Sequence, residues 1–98
     1  HVQEARDLMY RPVYTRQFKK DIKKAKKQGK DIEQFKLIAH TLLSGKPLDP
    51  IFRDHKLIGN YKGRRECHVK SDWLLIYKIE EDRLIFERIG SHAELFTI

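Results

Sequence analysis

The sequence predicts an α+β domain, with a helical hairpin packed on one face of a small, mainly antiparallel sheet in the order β-α-α-β-β-β. Three observations predict it. Residues 15–43 carry apolar side chains at helical spacing, and residues 61–90 carry three short runs at strand spacing. The links between those runs are short and polar, which suits an antiparallel meander. A length of 98 residues and a hydrophobic fraction of 40% fit one domain with one modest core.

Met9 offers a start, so residues 1–8 are read as an upstream or appended segment and 9–98 as a single domain. Val13 and Tyr14, after Pro12, form a short first strand. Phe18, Ile22 and Ala25 fall at i, i+4 and i+7 and make the narrow apolar stripe of a first helix, which Gly29 stops. Asp31 caps a second helix, with Gln34 as its capping-box partner. Ile32, Phe35, Ile38, Ala39, Leu42 and Leu43 give that helix a wider apolar face, and Gly45 with Pro47 ends it. His40 reads as a partly buried residue of this helix. Residues 45–60 are loop-like, and strands follow at roughly 61–70, 73–79 and 83–90. The middle strand is apolar on both faces and belongs at the centre.

The sequence contains no apolar run long enough to span a membrane and no secretory apolar stretch at its start. Cys67 stands alone, which excludes a disulfide framework and fits a reducing cytoplasm. The formal net charge is +7, and it is concentrated. Residues 15–30 hold eight Lys and Arg against one acid, Asp21, whereas the rest of the chain is balanced. A single basic helix face points to a polyanionic partner.

In a meander the end of one strand lies beside the start of the next. His68, late in the second predicted strand, therefore comes near Asp72. The last strand returns Arg88 to the same edge, and His92 follows directly. Cleaving RNA through its own 2′-hydroxyl needs a base for that proton, an acid for the departing 5′-oxygen and positive charge on the phosphate. Histidine, with a reference pKa of about 6.5, suits either proton transfer. A carboxylate can act as base or orient an imidazole, and arginine matches two phosphate oxygens. Trp73 and Phe96 are candidates to stack on an unpaired base. Each has a plainer reading, as a core residue at a strand start and as packing under the sheet. Arg64 and Arg65 are candidate substrate contacts or solvated strand residues. A metal site from His55, His68, Cys67 or Asp72 is less favoured, since no pair has a familiar ligand spacing, and no cofactor is expected.

Across DHKLIGNYKGRRECHVKSDWLLIYK and LIFERIGSHAELF the chain resembles the YafQ branch of the RelE-like toxins, the toxin halves of bacterial type II toxin–antitoxin pairs. The resemblance is densest over residues 45–96. It implies a microbial-ribonuclease-like fold and metal-independent cleavage of mRNA, typically in the ribosomal A site. It also implies a cytoplasmic toxin, monomeric alone and hetero-oligomeric with the cognate antitoxin that neutralises it. Carried over by position, the family's functional set falls on His55, His68, Asp72, Trp73, Arg88, His92 and Phe96. His92 is then the general acid and Asp72 or His68 the base. His55 assists or binds phosphate, Arg88 stabilises the charge that develops on phosphorus, and Phe96 positions a base. Lys19, Lys23, Lys26 and Lys27 become the ribosome-docking face. Lys56 and Ser71 stand where the family often has Pro, and a Trp often sits near Tyr61. These departures bear on loop rigidity and codon preference. The competing reading is a non-catalytic basic RNA- or ribosome-binding module, which accounts for the lysines but not for the histidines and aspartate at one edge.

Overall fold

A computed structural model describes residues 8–96 of the chain. Residues 1–7, most of the segment read as upstream or appended, lie outside the described residues, as do 97–98. Thr15 joins the first two elements. It follows β1 (Arg11–Tyr14), and its Oγ1 accepts from the Phe18 amide at 2.9 Å while donating to the Glu87 carbonyl at 2.9 Å. The first bond caps α1 (Arg16–Lys27); the second fastens the start of that helix to the last strand. After α1, Gly29 adopts a φ of +74°, a backbone conformation that side chains other than glycine's disfavour. The Asp31 carboxylate then accepts from the Gln34 amide at 3.0 Å and caps α2 (Ile32–Leu43). The helical hairpin predicted from the sequence is present, with one difference. His40 is exposed rather than partly buried, because the apolar face of α2 passes through Phe35, Ile38, Ala39 and Leu42 instead.

The remaining strands are β2 (His55–Lys56), β3 (Arg65–Lys70), β4 (Trp73–Glu80) and β5 (Arg83–Gly90). The sheet order is β1-β5-β4-β3-β2, with β1 parallel to β5 and every other pair antiparallel. β4 is flanked on both sides, and its residues 73–77 are all buried, as its unbroken apolar run predicts. The strand expected from residue 61 starts only at Arg65. Gly59 and Gly63, at φ +68° and +88°, fold the preceding residues into turns, one of them the 3₁₀ turn Gly59–Tyr61. Three further elements were not expected, the 3₁₀ turn Pro50–Phe52, the two-residue β2 and a short C-terminal helix α3 (His92–Phe96).

The sheet has two unequal faces. α1 and α2 cover one, where Phe18, Phe35, Ile38, Leu42, Trp73, Leu75, Tyr77 and Phe86 share the main core. A smaller apolar floor on the other face, made by Leu74, Ile76 and Leu95, is flanked by Leu57, Tyr61 and Phe96. A bulge in β5 decides what faces this floor. Ile76 pairs with Arg88 but Tyr77 pairs with Phe86, so Glu87 is an extra residue. In an uninterrupted strand Phe86 and Arg88 would share a face. The bulge leaves Phe86 in the main core and turns Arg88 to the opposite face. No helix among the described residues is long and apolar enough to cross a membrane.

Candidate active site

The site is built on the helix-free face, and its first part comes from the pairing of β2 with β3. Asp54 anchors the approach. Its carboxylate accepts from the Tyr77 hydroxyl at 2.7 and 2.8 Å and from Arg65 Nε at 3.1 Å, all on the helix side of the sheet. The next residue in an extended chain points the other way. His55 therefore reaches the helix-free face, opposite Glu66, with its Nε2 3.0 Å from Glu66 Oε1. His55 Nδ1 lies 3.1 Å from the Lys56 carbonyl. Both partners of the ring are acceptors, so the two bonds coexist only when both ring nitrogens carry hydrogen or Glu66 does. His68 stands two residues beyond Glu66 on the same face, with its Nε2 3.8 Å from the same carboxylate oxygen.

Glu66 is 5% exposed, and its Oε2 has no hydrogen-bond partner among the described residues. A buried carboxylate half satisfied in this way is costly unless neighbouring cations or a ligand complete it. Glu66 is not among the residues that the sequence singled out, although its spacing of two from His68 places both on one face of a strand. The same geometry bears on metals. His55, Glu66 and His68 each offer a ligand atom, all within 4.8 Å of one another, so these three side chains could hold an ion. Ligand spacing among His55, His68, Cys67 and Asp72 alone hides this trio, because Glu66 completes it.

The second part lies across β4. Leu74 pairs with His68 on one side and Gly90 on the other, so the strands bearing His68 and leading to His92 flank it, about 10 Å apart. Asp72 Oδ1 accepts from the His92 amide at 3.0 Å and thereby caps α3. The His92 ring is exposed and packs on Phe96, with centroids 4.8 Å apart. Phe96 in turn meets Tyr61 edge to face at 5.5 Å, and the Tyr61 hydroxyl donates to the Leu95 carbonyl at 3.1 Å. Phe96 is half-buried. It both packs on the floor and presents a ring beside His92.

Arg88 is aimed by the single acid of the lysine helix. Arg88 Nε and Nη2 donate to Asp21 at 2.8 and 3.3 Å, and the Ile89 amide donates to the same carboxylate at 3.1 Å. The bond to Asp21 holds the guanidinium above its ordinary pKa, so the charge is permanent.

The sequence-predicted residues divide accordingly. His68, Asp72, Arg88 and His92 lie at one end of the sheet as the meander implies; the bulge at Glu87 turns Arg88 to the helix-free face, and His55 and Phe96 join them there. Trp73 does not serve as a stacking platform. It is 2% exposed and belongs to the main core, because its position in β4 points toward the helices. Arg65 is likewise removed from the substrate side by its bond to Asp54 beneath the sheet. Arg64 pairs with Glu87, the bulge residue, at 3.4 Å. Lys19, Lys23, Lys26 and Lys27 are all exposed, and none forms an ion pair with another described residue. Cys67 is fully buried, and burial pushes its thiol well above the ordinary range, so it is not a nucleophile.

A five-stranded sheet carrying a histidine- and arginine-lined face beside a basic helix matches one class of protein. Residues 10–97 fit the family model described as the bacterial toxin of a type II toxin–antitoxin system, YafQ. The chain belongs to the YafQ toxin family. It is 44% identical over 84 residues to the mRNA interferase toxin YafQ of Escherichia coli K12, covering 85% of this chain and 91% of that protein. Its fold is similar to the toxin in the E. coli DinJ-YafQ toxin-antitoxin complex, with a TM-score of 0.84 and 41% identity over 92% of this chain and all of that one. It is also similar to a metal-bound toxin from Helicobacter pylori, with a TM-score of 0.84 and 40% identity over 90% of this chain and all of that one.

Proposed function

We propose that this toxin is an endoribonuclease that cuts mRNA in the ribosomal A site by activating the RNA's own 2′-hydroxyl. The observation that carries the reading is the placement of His68 and His92 on either side of Leu74, with Arg88 in the adjacent cross-strand row. Two imidazoles so placed can address opposite sides of one phosphate, one taking the 2′-hydroxyl proton and the other protonating the 5′-oxygen. Arg88 supplies fixed positive charge where the phosphorane-like charge develops. His68 is the stronger candidate for base, because one oxygen of Asp72 is already committed to the His92 amide. Glu66 then acts behind both histidines, orienting the His55 ring through its hydrogen bond and placing a carboxylate within ion-pair reach of His68. Phe96 offers a ring for a base beside the cut. A non-catalytic binding module would leave a buried Glu66 between two histidines without purpose. Inhibition of translation in the bacterial cytoplasm follows from this activity, and neutralisation falls to a cognate antitoxin, as in the DinJ-YafQ pair.

The H. pylori relative raises the question of an ion. His55, Glu66 and His68 would hold it, and a bound divalent ion would supply Lewis acidity at the phosphate. It would also occupy the imidazole lone pairs that proton transfer needs. The proposed mechanism uses the free side chains. Cleavage of free RNA, which unlike the ribosome survives magnesium removal, is expected to proceed unchanged in excess chelator. Activity abolished by chelation and restored by added metal would contradict it.

A further inference from the structure

The face of α1 turned toward the sheet is bolted to the catalytic strand and helix at two points. One is Asp21, which holds Arg88 and the Ile89 amide. The other lies one turn on, where Lys24 forms an ion pair with Glu94, two residues beyond His92. Glu94 also accepts from the Ser91 amide at 2.8 Å, and Ser91 Oγ accepts from the Glu94 amide at 3.1 Å. This reciprocal pair caps α3. Gly90 leaves room for it, since a Cβ there would sit 3.1 Å from Glu94 Oε1.

A five-residue helix does not persist on its own, so the position of α3 depends on these ties and on buried Leu95. From these contacts we infer that Lys24 and Glu94 are positioning residues that hold His92 in its catalytic place, so the basic helix that docks the toxin also aligns its acid. The inference rests on the proposed role of His92. The bond from Lys24, followed by that from the Ser91 amide, holds the Glu94 carboxyl at about 2, so the pair is charged throughout the neutral range. Lys24 lies on the site-facing side of α1, with Lys20 and Asp21 in the same cleft, and is distinct from the four outward lysines. The pair is largely exposed, at 60% and 34% for the two side chains, so its loss disturbs α3 more than the global fold.

The test compares Lys24→Gln, Glu94→Gln, the double variant and Lys24→Arg on translating ribosomes, alongside NMR of the His92 ring, whose contact with Phe96 imposes a ring-current shift. Glu94→Gln is the sharpest probe. It keeps an acceptor for the Ser91 amide, and removing a negative charge should not weaken binding to a polyanion. Both Gln variants should lower kcat by roughly three- to tenfold with KM nearly unchanged, and should move the His92 resonances. The double variant should lose no more than the worse single one, and Lys24→Arg should retain wild-type kcat. His92 resonances unmoved in both variants would overturn the tether. A Lys24→Gln effect confined to KM would make Lys24 a ribosome contact and overturn the positioning role. Moved resonances with full kcat would overturn the acid role of His92 on which the inference rests, while the tether itself stood.

Discussion

His92→Gln is expected to lower turnover on translated mRNA by about 10²–10⁴-fold while leaving ribosome affinity almost unchanged. The structure makes this a clean substitution. The His92 side chain is exposed, and its ring contact is the face of Phe96. What fixes the residue in space is its backbone, through the bond from its amide to Asp72. The rest of α3 is held independently through Ser91, Glu94 and Leu95. Glutamine leaves all of these in place and keeps a hydrogen-bonding side chain, yet it cannot deliver a proton to the departing 5′-oxygen. Single-turnover cleavage on programmed ribosomes, measured beside equilibrium binding of the same variant, separates the two effects. Weaker binding with normal turnover would make His92 a binding residue.

Replacing Lys19, Lys23, Lys26 and Lys27 together with Gln is expected to weaken ribosome binding by on the order of 10²–10³-fold near physiological salt. Each phosphate contact carries a salt-dependence slope of roughly −0.7 to −0.9, so loss of four would flatten the log–log slope by about three. These lysines are exposed, and the structure separates them from the residues that hold the site. Asp21 and Lys24, which hold Arg88 and Glu94, remain untouched in this variant. Cleavage of short free RNA should therefore change much less than cleavage of translated mRNA. Measuring both rates across a salt series decides the matter. Equal losses on the two substrates would place the lysines along the RNA path, and no loss on either would reduce them to a solvated face.

Much of the fold is legible in the sequence because its signals are local. Thr15 and Asp31 mark helix starts by residue type alone, and the apolar run at residues 73–77 marks a central strand. The meander then brings His68, Asp72 and His92 to one edge of the sheet without further information. What escapes such reading depends on tertiary pairing or on irregular backbone. The bulge at Glu87 reverses which face Arg88 occupies, and only its pairing with β4 reveals the extra residue. The spacing of three between buried Phe86 and Ile89, where a regular strand would show two, is its one trace. Trp73 shows the opposite failure. A tryptophan next to Asp72 at a strand start invites a stacking role, but strand alternation sends it into the core. Asp21 reads as an isolated acid in a lysine run, since its partner Arg88 is 67 residues away. The α3 helix was legible after all, because Ser91 with Glu94 three residues later is a capping box.

In the proposed mechanism the RNA supplies its own nucleophile to an acid–base pair on the helix-free face. An mRNA with one 2′-deoxy substitution immediately 5′ of the scissile phosphate probes that step itself, with the cut ends identified by mass spectrometry. The mechanism predicts no cleavage at the substituted site, and a 2′,3′-cyclic phosphate or its hydrolysis product at the corresponding unmodified one. Undiminished cleavage of the deoxy substrate, with a plain 3′-phosphate end, would mean that water attacks directly and would contradict the acid–base roles of His68 and His92.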